Sequence, residues 1–167
     1  MPSLDTQRQI AVLADQLERL RKADAGTGIS ARVFNTAAIS IAVSGTNQAL
    51  TFNAETYDTA SFHSTLSDTG RLTMPYPGTY IISGHVQFAS NATGFRQAFI
   101  RRNGTEALAS LLVQAVNGAV TVLSVSTAFL FSVNDYVELV VTQTSTAALN
   151  VDAVDFYTPY FTAVKVP

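Results

Sequence analysis

The residues able to carry out chemistry are few in this chain of 167 residues, and none are grouped with the spacing of a catalytic site. Cysteine is absent, which excludes thiol nucleophiles, thiolate metal sites and disulfides. The only histidines are His63 and His85, and no serine occupies the Gly-x-Ser-x-Gly turn that exposes the nucleophile of many hydrolases. The sequence therefore predicts no catalytic residue, no cofactor and no metal ligand, and it indicates a non-enzymatic protein.

Two pairs of neighbouring carboxylates are the remaining candidates for catalysis. They are Glu55 with Asp58, and Asp152 with Asp155. A glycosidase uses two carboxylates as acid and base or nucleophile, so a depolymerase is one alternative. Both pairs are explained more simply as turn and strand-edge residues, because no concentrated acidic or histidine cluster accompanies them.

Three arginines, Arg96, Arg101 and Arg102, lie on or beside one predicted hairpin. Arg101 and Arg102 are adjacent in a strand and point to opposite faces, so they do not form one basic patch. We interpret the arginines as a solvated sheet edge that deters aggregation, with contact to an acidic partner as the alternative. His63 falls in a polar loop and is interpreted as an ordinary exposed residue.

Charge is distributed unevenly along the chain. Eight of the 22 charged residues (10 basic and 12 acidic) precede Gly26, and the formal net charge is −2. This balance gives no case for nucleic-acid binding, which requires a basic face. Polar residues interrupt every apolar run before about 18 residues, so no membrane-inserted helix is predicted. The first residues also lack the pattern of a secretory signal peptide.

The N-terminal segment predicts an amphipathic helix with a narrow apolar seam. Ile10, Leu13, Leu17 and Leu20 are spaced 3, 4 and 3 residues apart, which is the spacing of a coiled coil. The seam covers only about two heptads and is marginal alone, so it favours a trimeric coiled-coil stem supported by another interface. The alternative is a single helix packed on its own β-domain. We expect the stem at residues 1–25, a glycine-containing linker at 26–30 and a head domain at 31–167.

The head is predicted to be all-β. Short runs with alternating polar and apolar residues are separated by turns every 8 to 12 residues, which is typical of a sandwich or barrel. Asn103-Gly104 is the strongest hairpin signal. The longest strand spans 79–89 and should bury one face, formed by Tyr80, Ile82, Gly84, Val86 and Phe88.

Several of these segments resemble the complement C1q and tumour necrosis factor (TNF) superfamily. The run Gly70–Pro75 followed by Gly78–Gly84 is similar to its signature of a glycine, a proline, a Gly-x-Tyr and a long strand. Further similar segments follow in the family's order: Ala31–Phe34, Leu50–Phe52, Glu55–Asp58, Arg102–Gly104, Asn134–Leu139 and Tyr160–Val164. The resemblance implies a ten-strand jelly roll that assembles as a tight homotrimer. The most similar variants resemble bacteriophage and prophage fibres, spikes or capsid decorations.

The resemblance also implies which residues meet at the three-fold axis. Ile81, Ser83 and His85 lie on the outward face of the long strand, and Tyr160 lies on the closing strand. Three copies of His85 on one axis could bind a metal or an anion, but a neutral, hydrogen-bonded histidine is the favoured interpretation. A loop calcium site at Asp152 or Asp155 is a second alternative.

Together these features predict a homotrimeric virion structural protein, assembled in the host cytoplasm. It would be a capsid fibre or decoration, or a tail-associated knob. Its partners would be its own copies and a capsid or tail protein, to which the helix docks while the head points outward. The alternative is an adhesion module of a phage or bacterium that binds a host cell-surface glycan or protein.

Overall fold

The computed structural model describes residues 4–24, 28–43, 45–154 and 159–167. A single helix, α1 (Leu4–Asp24), precedes the strands in these ranges, and Asp5 lies in its first turn. An acidic residue there is favourable because the N-terminus of a helix carries partial positive charge. Part of the predicted linker, residues 26 and 27, lies outside the described residues. Within the described ranges, no helix combines the length and the hydropathy needed to cross a membrane.

The first sheet contains seven strands, joined by antiparallel pairing. They are β1 (Ser30–Phe34), β2 (Ile39–Ile41), β4 (Ala54–Asp58), β6 (Gly78–Phe88), β9 (Thr121–Phe131), β11 (Leu149–Val151) and β12 (Tyr160–Lys165). Its order runs β2-β11-β6-β12-β1-β4, and β9 pairs with β6 along the whole length of both strands.

The second sheet contains five strands, with β10 at its centre. They are β3 (Gln48–Ala49), β5 (Arg71–Thr73), β7 (Phe95–Arg102), β8 (Glu106–Gln114) and β10 (Tyr136–Gln143). The order is β3-β10-β7-β8, and β5 also pairs with β10. Apart from the β7–β8 pair, paired strands in the two sheets are not consecutive in the chain, as in a jelly roll.

The predicted all-β jelly-roll sandwich is confirmed. The described residues contain twelve strands where the resemblance implies ten, and several strands are only two or three residues long. The hairpin predicted at Asn103-Gly104 joins β7 to β8, with φ angles of 48° and 73°. This pair of positive φ values matches the twist of the flanking strands.

The core lies between the two sheets, where β6 presents alternate residues. Tyr80, Ile82, Val86 and Phe88 are fully buried, as predicted. The Tyr80 ring meets Phe62 and Phe131 edge-on at centroid distances of 5.9 Å. Burial of one aromatic side chain removes about 200 Å² of surface from water. This cluster is therefore a major source of the stability of the fold.

Asp135 ties together two turns at one end of the sandwich. Its Oδ1 accepts from Asn103 Nδ2 at 2.7 Å, and its Oδ2 accepts from Arg102 at 3.1 Å and from the Ser132 amide at 2.8 Å. Burial alone would raise the pKa of Asp135, but these hydrogen bonds and the Arg102 charge lower it below its ordinary value. The carboxylate therefore stabilises the fold as long as it stays ionised.

The side chains of Arg96 and His63 are buried, which the sequence did not predict. The Arg96 side chain is fully buried and donates to the carbonyls of Asn91, Thr93 and Phe95 rather than to solvent. This placement corrects its interpretation as part of a solvated edge. The buried guanidinium holds the loop between β6 and β7 by its backbone oxygens.

His63 was expected to be exposed, and this expectation is wrong: its side chain is 0% exposed. Its Nδ1 lies 2.8 Å from Glu55 Oε1, and its Nε2 lies 3.1 Å from the Thr69 carbonyl. The Asp58 carboxylate accepts a hydrogen bond from the backbone N–H of His63 at 2.9 Å. The pair Glu55 and Asp58 thus anchors the loop after β4, which agrees with a structural role for these carboxylates.

Candidate functional site

The outward side of the seven-stranded sheet is the most distinctive surface of the sandwich. On it, Ile81 of β6 lies between Ala128 of β9 and Val164 of β12. Ile81 is 46% exposed and Leu130 is 70% exposed, whereas their sequence neighbours on the inner side of the same strands are buried or partly buried. We call this surface the outer face; its residues are Thr79, Ile81, Ser83, His85, Val122, Ser124, Ser126, Ala128, Leu130, Tyr160, Thr162 and Val164.

Successive side chains in these strands point to opposite sides of the sheet, and apolar residues occur on both sides. One side packs in the core, and the other side is the outer face. In β9, Thr121, Leu123 and Val125 are buried in the core, whereas Val122 on the opposite side is exposed. A sheet with one solvated side normally shows polar residues there. An apolar side exposed in one subunit indicates a surface that another molecule covers.

Small hydroxyl groups occupy the middle of the outer face. Ser126 donates to the Ile82 carbonyl at 3.0 Å, so the 2.9 Å contact between Ser83 and Ser126 has Ser83 as its donor. Thr162 donates to the Ser83 carbonyl at 3.3 Å. Their hydrogen bonds are therefore made within the sheet, and the short side chains let another surface approach closely.

An aromatic stack borders this region. The Arg32 guanidinium lies 3.8 Å from the centre of the Tyr160 ring, and that ring stacks on His85 at 5.1 Å with an angle of 9° between planes. His85 Nδ1 also lies 2.9 Å from Ser124 Oγ. Cation–π and stacking contacts fix all three side chains in one orientation.

The environment of His85 favours its neutral form. Burial lowers the pKa of His85 below its ordinary value of 6.5, and the positive charge of Arg32 lowers it further. A neutral imidazole can exchange a hydrogen bond with Ser124 without placing a charge on an apolar surface. Within the described ranges, no three histidine, aspartate or glutamate side chains are placed to hold a metal ion together. Asp155, one candidate for calcium, lies outside these ranges.

We expect His85→Gln to make the stability of the protein less sensitive to acid. Because the folded pKa is lowered, the unfolded chain takes up a proton first, so the wild type loses stability as the pH falls below about 6.5. Glutamine keeps a hydrogen-bonding group beside Ser124 but does not titrate. Between pH 7.5 and 5.5, the Tm of the wild type should fall about 2–4 °C more than that of the variant, as measured by calorimetry. Equal falls would contradict this account of His85.

A second apolar surface was not found by sequence reasoning. Leu111 and Leu112 of β8 are both exposed, and β8 is the last strand in the order of the five-stranded sheet. Val116 and Val120, in the turn that follows, are exposed as well. The adjacent leucines break the alternation of a half-buried strand, which is the signal that could have indicated this edge.

The predicted helix seam is also exposed in the single chain. Ile10, Leu13 and Leu17 are each more than half exposed, and Leu13 reaches 63%. The Leu20 side chain lies outside the described residues. This exposure disfavours the alternative in which the helix packs on its own β-domain, since that arrangement would bury the seam.

The arrangement of the two sheets matches solved structures of known proteins. The globular domain of zebrafish complement 1qA superposes with a TM-score of 0.59 at 15% identity, over 83% of this chain and 97% of that one. The head has the C1q/TNF-like jelly-roll fold. Murine APRIL gives a TM-score of 0.62 at 11% identity, over 84% of this chain and all of the other. Eiger TNF from S. frugiperda gives 0.60 at 15% identity, over 84% and 93% of the two chains.

Sequence comparisons do not extend this result. No protein-family model matches the chain, and no curated protein matches it by sequence. At identities of 11–15%, the structural likeness establishes the C1q/TNF-like fold and nothing finer.

Proposed function

We propose that this C1q/TNF-like protein is a non-enzymatic homotrimer whose heads associate through the outer face. The observation that carries the proposal is the exposed apolar surface around Ile81, Leu130 and Val164 on an otherwise well-packed sandwich. Covering this surface with other copies removes apolar area from water, which is the dominant favourable term in association. A trimer is also the assembly that the C1q/TNF resemblance implies.

Within this trimer, Ile81, Ser83, His85 and Tyr160 are the proposed residues at the three-fold axis. All four belong to the outer face, and Tyr160 is the pairing partner of His85 across β6 and β12. Ile81 supplies apolar area, Ser83 allows close approach, and the stacked rings supply large contact area at low cost in side-chain freedom. His85 is proposed as a neutral packing residue here, without a metal.

The N-terminal helix is proposed as a short stem and anchor, and the chain is divided at residues 1–25, 26–30 and 31–167. Ile10, Leu13, Leu17 and Leu20 would form the seam of a three-stranded coiled coil. Two heptads contribute little association free energy alone. The heads would therefore supply most of the interface, which leaves the helix free to dock on a partner.

For the biological setting, we propose a virion component: a capsid fibre or decoration, or a tail-associated knob. The helix would bind a capsid or tail protein, and the head would face outward. This proposal is supported by the separation of the chain into an exposed amphipathic helix and a compact β-head. It also follows the sequence resemblance to phage structural proteins.

The particle role is tested by labelling phage particles with an antibody against the head. Particles induced from cells that carry this gene should band with the protein in a density gradient, and electron microscopy should place the label on capsid or tail. A strain with Leu13→Asp and Leu17→Asp in the helix should release particles without the protein. Full-chain protein that never bands with particles would overturn the virion role.

A second candidate function is adhesion to a cell-surface glycan or protein. It is favoured by one observation, a cavity lined by amide, guanidinium and aromatic groups on the opposite side of the sandwich from the outer face. A cell-binding assay distinguishes the two roles, because a purely architectural knob should not bind to cells.

A further inference from the structure

A cavity of about 390 Å³ opens on the outward side of the five-stranded sheet. This volume falls within the range of about 300–1,000 Å³ that is usual for small-molecule sites. Its lining is mixed in chemistry, with one aromatic ring, one guanidinium, two amides and several small residues. The lining residues are Asn47, Gln97, Phe99, Arg101, Gly104, Thr105, Ala107 and Ser110.

The cavity results from a β-bulge in β8. Ile100 pairs with Ala109 and Arg101 pairs with Ala107, so Leu108 is the additional residue in the strand. Leu108 packs against the core, whereas Ala107 faces the cavity beside Arg101. A bulge redirects side chains in this way and is often found next to a binding site. The small Ala107 side chain leaves space above the sheet that a regular strand would fill.

The floor of the cavity is apolar. Phe99 and its cross-strand neighbour Val140 are 7% and 0% exposed although both face outward. They form an apolar stripe across the sheet, and Ser110 is the partner of Phe99 on the other side. Of Phe99 and Val140, only Phe99 lines the cavity, so a ligand meets a small apolar area at the floor.

One wall of the cavity consists of fixed amides. Thr142 donates to Asn47 Oδ1 at 2.6 Å, and Gln97 Nε2 donates to Ser110 Oγ at 2.8 Å. Thr142 and Gln97 are directly paired in the sheet, so these groups form one row. Among the described contacts, this leaves the Gln97 carbonyl oxygen and the Asn47 amide nitrogen available as acceptor and donor.

Arg101, at the other end of the cavity, belongs to an ion-pair network with no net charge. Arg101 donates twice to Glu138 at 2.9 Å, and Arg71 lies 2.9 Å from Asp68 and 3.7 Å from Glu138. Two guanidiniums are therefore balanced by two carboxylates. A partnered Arg101 can still donate from its remaining N–H groups, but it offers no net attraction to an anion.

We propose that this cavity binds a neutral saccharide, one ring of which lies between Gln97 and Arg101 and touches Phe99 at the floor. Hydroxyl groups of the ring exchange hydrogen bonds with Gln97 and Asn47 on one wall and with Arg101 at the other end. The site lies across the sandwich from the outer face and depends on neither trimer formation nor the virion role. The proposal rests on the second candidate function, adhesion to a glycan, and names neutral sugars as its ligands.

The test is saturation-transfer NMR on the full-length protein with four neutral probes: glucose, galactose, N-acetylglucosamine and N-acetylgalactosamine. Glycerol and the anionic N-acetylneuraminic acid serve as comparators. We expect transfer to the ring C–H protons of at least one neutral sugar, with a Kd of about 1–10 mM. A mutation of the outer face that abolishes the trimer should leave this signal unchanged. A failure of the saccharide proposal is thereby distinguished from a failure of the proposed trimer.

Three variants assign the signal to the cavity. Ala107→Trp places a large side chain in the space from an exposed position, and Gln97→Leu removes one amide; each should weaken binding at least about tenfold. Gln114→Leu makes the same change on the exposed end of β8 outside the cavity and should bind like the wild type. Circular dichroism is used to check that each variant is folded. No transfer to any neutral sugar, transfer only to N-acetylneuraminic acid, or full binding by Ala107→Trp would overturn the proposal.

Discussion

Ile81→Asp should convert the proposed trimer into a folded monomer at micromolar concentration. Ile81 is 46% exposed in the single chain, so aspartate is tolerated there by the isolated sandwich. In the proposed trimer the same carboxylate would be buried near two copies of itself without a cationic partner. Burial of an unpaired charge costs at least about 3 kcal/mol per protomer, and more with three like charges together. Light scattering coupled to gel filtration measures the change.

Leu66→Asp is the matched control for this experiment. Leu66 is 94% exposed in the loop after β4, does not belong to the outer face, and gains the same charge in the variant. We expect this variant to keep the mass of the wild type. If Ile81→Asp remained a trimer with the same dissociation constant as Leu66→Asp, the outer face would not be the interface.

Gly94→Ala should destabilise the head more than any other single-methyl change in the described turns. Gly94 has a φ of +73°, and an added Cβ would lie 2.3 Å from the Thr144 carbonyl oxygen and 2.6 Å from its carbon. Those atoms belong to the backbone directly after β10, where the Thr144 amide donates to the Phe95 carbonyl of β7 at 3.2 Å, so a shift would break this hydrogen bond. The left-handed conformation alone costs about 1–2 kcal/mol for alanine. The collision adds about 2 kcal/mol or more.

Gly118→Ala separates these two contributions. Gly118 has the same φ of +73°, but an added Cβ would meet no atom within 4 Å. Both variants therefore share the conformational cost, and only Gly94→Ala has the collision. We expect the Tm of Gly94→Ala to lie at least about 4–8 °C below that of Gly118→Ala in the same buffer and at the same protein concentration. Equal Tm values would show that the turn at Gly94 relaxes freely.

Much of the fold could be predicted from the sequence because its strands alternate regularly. The period of two in β6 placed Tyr80 and Ile82 in the core and Ile81 on the opposite side, and the structure confirms all three. Asn103-Gly104 identified its hairpin because few other residues adopt two positive φ angles in succession. Such local rules need no knowledge of distant residues.

The surroundings of the polar side chains could not be predicted in the same way. His63 is buried because Glu55 and the Thr69 carbonyl come together across a loop, and Arg96 is buried because the β6–β7 loop folds over it. These contacts depend on loop conformations that have no periodic signal in the sequence. The interpretation of both as exposed residues followed the average behaviour of charged side chains.

The candidate surfaces were predictable to different degrees. Ile81, Ser83, His85 and Tyr160 do share one face, but only a resemblance placed that face at an axis. The apolar edge at Leu111 and Leu112 and the cavity beside Ala107 were missed, since both depend on where β8 lies in the sheet and on its bulge.

The measurement that tests the central claim most directly is the mass of the full-length wild-type protein in solution. Native mass spectrometry at micromolar concentration should show a species of three times 17.8 kDa, with little of the single chain. This result would show that three copies cover surfaces that one copy leaves exposed to water. A monodisperse species of 17.8 kDa at that concentration would contradict the account.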